Sequence, residues 1–202
     1  MSTTNINDLL SDSRLASVKK EIQQILSNEI LQALRDGKRV IVAPRQSGKS
    51  YAEILYALET KTQMILHSNE SKNHAIAKAR KIGKIKAKNN VPNLFYSISD
   101  FLNRRGQSDM SLESTFDEFM LLSQERQNEL YNFWKSMGCP RWNFVFSPST
   151  QHFNPFKDNE EIFDVNGNSL KSNFMDHFSN ADLYYALNSK RIKALIATAF
   201  LN

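Results

Sequence analysis

Apolar residues along the chain alternate between short continuous runs and helical spacing. From Arg14 to Arg35 they recur mostly at three- and four-residue steps, which predicts an amphipathic helix ending at Asp36-Gly37. Strands are predicted near 39–43, 63–68, 93–99, 111–116 and 142–147. Further helices are predicted at 49–60, 71–87 and 119–137. Strands that alternate with helices predict a three-layer α/β fold with a mainly parallel central sheet and helices on both faces.

The two ends of the chain are less regular. Residues 1–13 are polar and predict a flexible N-terminus, and the predicted core covers residues 14–150. Residues 151–202 scatter aromatic side chains among Asn, Asp and Ser, so we expect a lid or edge subdomain of the same domain. Within it, the segment 191–201 fits a last helix or an edge strand.

The first predicted strand runs into a loop that contains Gly-Lys-Ser. The loop is Pro44-Arg45-Gln46-Ser47-Gly48-Lys49-Ser50-Tyr51, and the predicted helix 49–60 follows it. Strand, loop and helix in this order are the context of a phosphate-binding P-loop, where backbone N–H groups and a helix N-terminus hold an anion. Lys49 would reach the β- and γ-phosphates of ATP, and the Ser50 hydroxyl would bind Mg²⁺. Ala43 stands where the first glycine of the motif usually lies.

A P-loop enzyme also needs acidic residues, and Asp117-Glu118 supplies an adjacent pair. Asp117 would complete the metal site, and Glu118 would orient the attacking water. The residues before the pair, Glu113–Thr115, are polar where a central parallel strand is usually apolar. An acidic start to the next helix explains the pair as well. Asp100, which follows the strand 93–99, is the alternative metal-binding acid.

Hydroxyl residues follow the last predicted strand, at Ser147, Ser149 and Thr150. Nucleotide sites form at the carboxyl ends of strands in open α/β sheets, so these residues are candidates for sensing the γ-phosphate. Ordinary turn chemistry explains Ser-Pro-Ser-Thr equally well. Gln23 and Gln24 lie upstream of the loop, where many nucleotide motors keep an adenine-reading glutamine, and a solvent-facing role explains them equally well.

A run of positive charges lies in and just beyond the helix 71–87. Its members are Lys72, Lys78, Arg80, Lys81, Lys84, Lys86 and Lys88. Such a run would contact the phosphate backbone of a nucleic acid in a salt-dependent way. A solvated helix face is the alternative interpretation.

Composition narrows the class of protein. The 202 residues, 41% hydrophobic and 23% charged, are typical of a globular domain, and a net charge of +5 permits a nucleic-acid partner. No apolar run approaches the roughly 18 residues of a membrane span, and the N-terminus lacks a signal-peptide core. Cys139 is the single cysteine, which excludes an internal disulfide and a multi-cysteine zinc site. Together these features predict a cytoplasmic protein.

The loop Pro44–Ser50 resembles the P-loop of viral large-terminase DNA-packaging ATPases, which often carry Arg-Gln-x-Gly-Lys-Thr/Ser. Phe116–Phe119 resembles the metal-binding and catalytic acid pair of that family. Ser147–Thr150 stands where the family places a hydroxyl-rich coupling motif. The resemblance covers roughly residues 39–150.

The resemblance implies a Mg²⁺-dependent ATPase of viral or mobile-element type that acts on double-stranded DNA, in the host cytoplasm if viral. Lys49 and Ser50 would hold phosphate and metal, Asp117 would complete the metal site and Glu118 would activate water. Arg45 would reach the γ-phosphate in the transition state. Large terminases continue into a nuclease domain, and we expect this chain to be an ATPase without it.

Such ATPases often form rings, so the resemblance also implies a homo-oligomeric ring or contacts with other motor or portal components. An arginine from a neighbouring subunit would then act in trans. The candidates are Arg104, Arg105 and Arg141.

Two other functions fit the sequence. The loop and the acid pair are similar to those of type II thymidine kinases, which predicts a small P-loop nucleoside kinase, but the structural zinc usual in that family needs paired cysteines. Alternatively, the chain is a non-catalytic regulator that keeps the fold and binds DNA or a partner protein. The polar segment before Asp117 favours this last function.

Overall fold

The computed structural model describes residues 4–5, 8–82, 92–104, 113–147, 152–153 and 178–201. The chain divides into two compact units. One comprises the residues up to Lys49 together with those from Phe146 onwards, and the other is Ser50–Val145. None of the helices in the described ranges is both long and apolar enough to cross a bilayer.

Helices and strands alternate along most of the described part of the chain. Its helices are α1 (Lys19–Arg35), α2 (Lys49–Thr60), α3 (Asn69–Ile82), α4 (Ile98–Asn103), α5 (Gln124–Ser136) and α6 (Lys190–Leu201). Its strands are β1 (Thr4–Asn5), β2 (Val40–Val42), β3 (Gln63–Leu66), β4 (Phe95–Ser97), β5 (Glu113–Asp117), β6 (Arg141–Phe146), β7 (His152–Phe153) and β8 (Leu183–Tyr185).

Six of these strands form one sheet in the order β4-β3-β5-β6-β2-β8. Every pairing in it whose register is described is parallel: β2 with β8, β3 with β4 and with β5, and β5 with β6. Parallel neighbours need crossover connections, which are usually helices that cover the sheet. The short strands β1 and β7 pair antiparallel with each other. The chain therefore has the three-layer α/β fold that the sequence predicts.

In the unit Ser50–Val145, aromatic rings cover one face of the sheet. Phe116 of β5 lies opposite Phe144 of β6, and the two rings stack with centroids 5.3 Å apart. Phe101 of α4 and Phe133 of α5 contact Trp142 of β6 at centroid distances of 5.7 and 6.3 Å. These contacts place α4 and α5 on this face.

The opposite face of the same unit is covered by α2 and α3. Met64 and Leu66 of β3 belong to one buried cluster with Ile54 of α2 and Ala75 of α3. Register partners on neighbouring strands point to the same side of a sheet. Because Asp117 is the register partner of Leu66, its side chain lies on the face that α2 covers.

Strand β5 forms despite its polar sequence. Ser114 and Thr115 are buried at 0% and 1% exposure, and Asn143 Nδ2 of β6 donates a hydrogen bond to Thr115 Oγ1 at 3.4 Å. A β-branched threonine fits a pleated strand, and a partner in the next strand offsets the desolvation of its hydroxyl. The strand predicted near 111–116 is confirmed.

In the other unit, β8 lies beside β2, and α6 packs against α1. Glu29 of α1 accepts hydrogen bonds from Tyr184 Oη of β8 at 3.0 Å and from Ser189 Oγ, just before α6, at 2.8 Å. The segment 191–201 is therefore the predicted helix and not the alternative strand. The strand at this edge of the sheet is β8, which the sequence did not predict.

The N-terminal segment is more ordered than its polar sequence predicts. Leu9 and Leu10 lie in a 3₁₀ turn, Leu9–Ser11, and are fully buried. Asp12 caps the next turn by accepting a hydrogen bond from the Arg14 N–H at 2.9 Å. The predicted flexible segment 1–13 is therefore too long, because two leucines bury their side chains within it.

Several predicted elements have different bounds in the structure. The strand predicted at 93–99 is limited to β4, since Ser97 and Asp100 form a capping box that begins α4 at Ile98. The helix predicted at 119–137 divides into a 3₁₀ turn, Phe119–Leu121, and α5. The helix predicted at 71–87 begins two residues earlier as α3, and the part of it beyond Ile82 lies outside the described residues.

Candidate functional site

The loop between β2 and α2, residues 43–48, turns at two left-handed residues. Gln46 has φ +63° and Gly48 has φ +81°, with Ser47 between them. Alternating backbone conformations of this kind aim successive N–H groups at one point, which is how a backbone nest binds an anion. Because α2 begins at Lys49, the positive end of its dipole meets the same loop.

Gly48 is required by both its conformation and its neighbours. A Cβ added there would lie 2.9 Å from Ser27 Cβ and 3.2 Å from Ser27 Oγ of α1. Ser27 Oγ also donates a weak hydrogen bond to the Gly48 carbonyl at 3.4 Å. Helix α1 therefore packs directly on the loop, at a distance that only glycine permits.

The loop has a second support on the N-terminal side. Gln23 Nε2 of α1 donates a hydrogen bond to the Gln46 carbonyl at 2.8 Å, and Gln46 Nε2 donates to Ser11 Oγ at 3.1 Å. The half-buried Gln23 thus supports the loop. Gln24 is exposed and bonds to Asn28 on its own helix.

Lys49 is the central charged group of the loop. It is 5% exposed, and its Nζ donates hydrogen bonds to Ser147 Oγ at 2.7 Å and to the Pro44 carbonyl at 3.1 Å. A buried ammonium needs such partners, because desolvation without them is costly. The structure thus brings Lys49 to Ser147, which is 98 residues away in sequence. Ser149 and Thr150 lie outside the described residues.

The Ser47 hydroxyl also faces inward. Ser47 is fully buried, and in the described part of the chain its Oγ has no hydrogen-bond partner. A buried hydroxyl without a partner loses free energy that an acceptor would restore. Together with the two left-handed residues and the Lys49 ammonium, it fits a bound phosphate group. Arg45, Gln46 and Tyr51 are exposed around the loop.

Ser50 and Asp117 flank the same residue of β3. Ser50 lines a cavity of about 170 Å³ with Ile54 and Leu66. Asp117, only 6% exposed, is the register partner of Leu66 on the face covered by α2. A hydroxyl and a carboxylate on that side are oxygen ligands of the kind that Mg²⁺ prefers.

The described part of the chain contains no group of three or more His, Cys, Asp or Glu that could hold a metal ion. Mg²⁺ in phosphate-transfer sites needs no such group, since one or two protein ligands, phosphate oxygens and water complete its shell. The residues present therefore fit a Mg²⁺ ion that arrives with a nucleotide.

Glu118 lies at the turn that ends β5. It has φ +51°, and its N–H donates to the Val145 carbonyl at 2.7 Å. The half-buried Glu118 directly follows Asp117 at the carboxyl end of the strand. The structure thus places both predicted acids at that end.

Asp100, the alternative metal-binding acid, is engaged elsewhere. It accepts hydrogen bonds from Lys72 Nζ at 2.6 Å and from the Ser97 N–H at 3.3 Å. The hydrogen bond from Lys72, opposed by partial burial, lowers the pKa of Asp100 below its ordinary value. Asp100 therefore caps α4 and ties it to α3, which makes Asp117 the better candidate.

Only some of the basic residues predicted to bind nucleic acid are exposed in the described part of the chain. Lys72 is paired with Asp100, whereas Lys78, Arg80 and Lys81 are exposed on α3. Lys78 also lines the cavity beside Ser50. Lys84, Lys86 and Lys88 lie outside the described residues.

Of the three arginines predicted to act in trans, two are described. Arg104 lies over the Tyr96 ring at 4.6 Å, and Arg141 is exposed at the start of β6. Arg105 lies outside the described residues.

No protein-family model matches the sequence, and no curated protein sequence matches it. Among solved structures, the chain is similar to a hypothetical ATP-dependent RNA helicase from Sulfolobus tokodaii, with a TM-score of 0.47 and 16% sequence identity. The match covers 60% of this chain and 45% of that chain, so it spans less than half of the helicase structure.

Proposed function

We propose that this chain binds ATP with Mg²⁺ at the loop before α2 and hydrolyses it. The observation that carries this proposal is the buried Lys49 ammonium, held at a loop with left-handed backbone at Gln46 and Gly48. Lys49 would exchange its present oxygen partners, Ser147 and Pro44, for oxygens of the β- and γ-phosphates. The Ser47 hydroxyl and the backbone N–H groups would complete the phosphate contacts.

Mg²⁺ bound at Ser50 and Asp117 would offset phosphate charge that develops during hydrolysis. Glu118 would accept a hydrogen bond from the attacking water and orient it toward the γ-phosphate. Arg45, exposed on the loop, would stabilise negative charge in the transition state. Ser147 would sense the γ-phosphate, because it already contacts the lysine that would bind it.

The resemblance to large terminases favours a DNA-directed motor, of viral or mobile-element type, as the setting of this ATPase. The exposed Lys78, Arg80 and Lys81 support a double-stranded DNA partner, since each phosphate contact releases counterions and strengthens binding. We propose that this partner stimulates hydrolysis, and that the active form is a ring or part of a larger motor.

ATP turnover with Mg²⁺, with and without duplex DNA, tests the proposal on wild type, Lys49→Ala and Glu118→Gln. Loss of Lys49 removes a charged phosphate contact, and we expect turnover to fall to background. Glu118→Gln keeps the size of the side chain but removes its carboxylate. We expect turnover to fall at least about a hundredfold while ATP binding is retained. Unchanged turnover in folded Lys49→Ala would contradict the proposal.

The DNA partner has its own test. The double variant Lys78→Gln/Lys81→Gln removes two exposed charges, which should lower the salt slope of duplex binding by about two. Lys61→Gln, an exposed lysine after α2, is the control. Equal slopes in the double variant and the control would exclude α3 as the DNA surface.

The cavity beside Ser50 favours a phosphotransferase as the second candidate. Glu70 and His74 also line it, and its volume of about 170 Å³ would admit a small acceptor hydroxyl group. The rate of phosphate release, compared with transfer to a panel of nucleosides, separates the two functions. Release that matches ATP consumption without an acceptor favours the hydrolase.

A further inference from the structure

A groove separate from the P-loop lies between α6 and the segment that precedes α1. Its volume is about 640 Å³, and its floor includes Val18, Ala194, Leu195 and Ala199. Arg14 and Arg191 line it as well. All six residues belong to one unit of the chain. The groove is therefore a feature of that unit alone.

The α6 side of the groove presents small or apolar side chains to solvent. Ala194 and Thr198 are exposed one helical turn apart, and Leu201, the next residue along this side, is 68% exposed. A large aliphatic side chain with this exposure loses the free energy that burial against an apolar partner would give. Small side chains along the turn allow a second helix to approach closely.

Among the residues that line the groove, Arg14 and Arg191 are basic and none is acidic. The flanking segments 13–20 and 190–202 contain no Asp or Glu. Their basic residues are Arg14, Lys19, Lys20, Lys190, Arg191 and Lys193. Arg14 is paired with Asp12 at 2.6 Å and lies over the Phe200 ring at 3.8 Å, so Asp12 offsets part of its charge. Arg191 is exposed and makes no ion pair with another residue of the described ranges, so its charge is the one available to a partner.

We infer that this groove docks an acidic, amphipathic helix of a partner protein. The apolar floor would take the hydrophobic stripe of that helix, and the rim would face its Asp and Glu side chains. Charge alone would also attract DNA, but a phosphate backbone gains nothing from an apolar floor. This partner site goes beyond the proposed ATPase activity and does not depend on it.

A library of displayed helical peptides tests the inference. Each peptide is about 12 residues long, the length of α6, with apolar residues fixed at helical spacing and acidic, basic or neutral residues elsewhere. The library is selected on wild type, on Arg191→Glu and on Ala194→Trp. The first variant reverses a rim charge, and the second fills the groove at an exposed site. Lys61→Glu, a charge reversal in the other unit, is the control.

We expect acidic peptides to be enriched on wild type and on Lys61→Glu. The affinity of the selected peptides should fall at least about tenfold on Arg191→Glu, because an attraction is lost and a repulsion is added. Ala194→Trp should also weaken them, and circular dichroism would confirm that both variants fold. Enrichment of neutral or basic peptides would overturn the inference. The inference would also be overturned if duplex DNA displaced the selected peptides and Ala194→Trp did not change their affinity.

Discussion

Two constraints meet at Gly48, a left-handed backbone and the close approach of Ser27. Gly48→Ala should therefore destabilise the protein by roughly 1–2 kcal/mol through its backbone. The overlap of the new methyl group with α1 should add roughly 1–3 kcal/mol. Urea unfolding measures the total loss in unfolding free energy. We also expect the substitution to weaken phosphate binding by the loop.

Gly138 provides a matched control for this prediction. Its φ of +78° is nearly the same, but a Cβ added there would have no heavy atom within 4 Å. Gly138→Ala should show only the backbone cost of roughly 1–2 kcal/mol. Equal destabilisation by the two substitutions would show that α1 does not constrain the loop.

Lys72 sets the ionisation of Asp100. Because its hydrogen bond lowers the pKa of Asp100, the ion pair adds stability above the ordinary aspartate pKa of about 3.9. That stability is lost as pH falls through the lowered folded-state value. In Lys72→Met the pKa of Asp100 should rise toward its ordinary value, as measured by NMR titration. A pKa unchanged by the substitution would mean that Ser97 alone sets it.

Glu29 connects three elements of its unit, since α1 holds both β8 and the start of α6 through this carboxylate. Glu29→Ala leaves the Tyr184 and Ser189 hydroxyls without their acceptor, so we expect a loss of about 2–3 kcal/mol in unfolding free energy. Gln24→Ala, on the exposed side of the same helix, should change it by less than about 0.5 kcal/mol. Similar losses in both variants would contradict the role of Glu29.

Tyr184 makes the same connection sensitive to alkaline pH. Burial, and then the charge of Glu29, raise the pKa of Tyr184 above its ordinary value. A raised pKa contributes stability below the ordinary value of about 10, and this contribution is lost as pH rises above it. The unfolding free energy of wild type should fall above about pH 10 more steeply than that of Tyr184→Phe. Parallel pH profiles would exclude Tyr184 as the cause.

The elements that the sequence predicts well are those in which local pattern and burial agree. Helix α2 has its predicted bounds, 49–60, because apolar spacing and the loop before it both mark its start. Strand β8 was missed, since its three half-buried residues lack a pattern and become a strand only beside β2. The strand predicted at 93–99 extends too far, because the Ser97–Asp100 capping box begins α4 within that apolar run.

In the candidate site too, features that depend on local sequence could be predicted, and features that depend on packing could not. Lys49 and Ser50 are predicted as site residues from a motif in which contiguous residues form one local structure. The contact of Lys49 with Ser147 and the support of Gln46 by Gln23 depend on packing between distant segments. The position of Ser147 at the end of a predicted strand indicated that it could reach the site. The apolar spacing of α1 did not predict the hydrogen bond from Gln23 to the Gln46 carbonyl.

At the level of the entire chain, the fold is established and the ATPase activity is a proposal built on one loop. The loop follows β2, a strand of the parallel sheet, and Gln23 of α1 holds it through a hydrogen bond to Gln46. The central claim is that this loop binds a nucleoside triphosphate through Lys49.

Calorimetric titration of ATP in the presence of Mg²⁺ tests this claim most directly, on wild type, Lys49→Ala and the exposed control Lys61→Ala. We predict saturable binding to wild type and to Lys61→Ala. Loss of a charged phosphate contact should weaken binding at least about tenfold in Lys49→Ala. Wild-type protein that does not bind ATP, or folded Lys49→Ala that binds it as tightly as wild type, would contradict the claim.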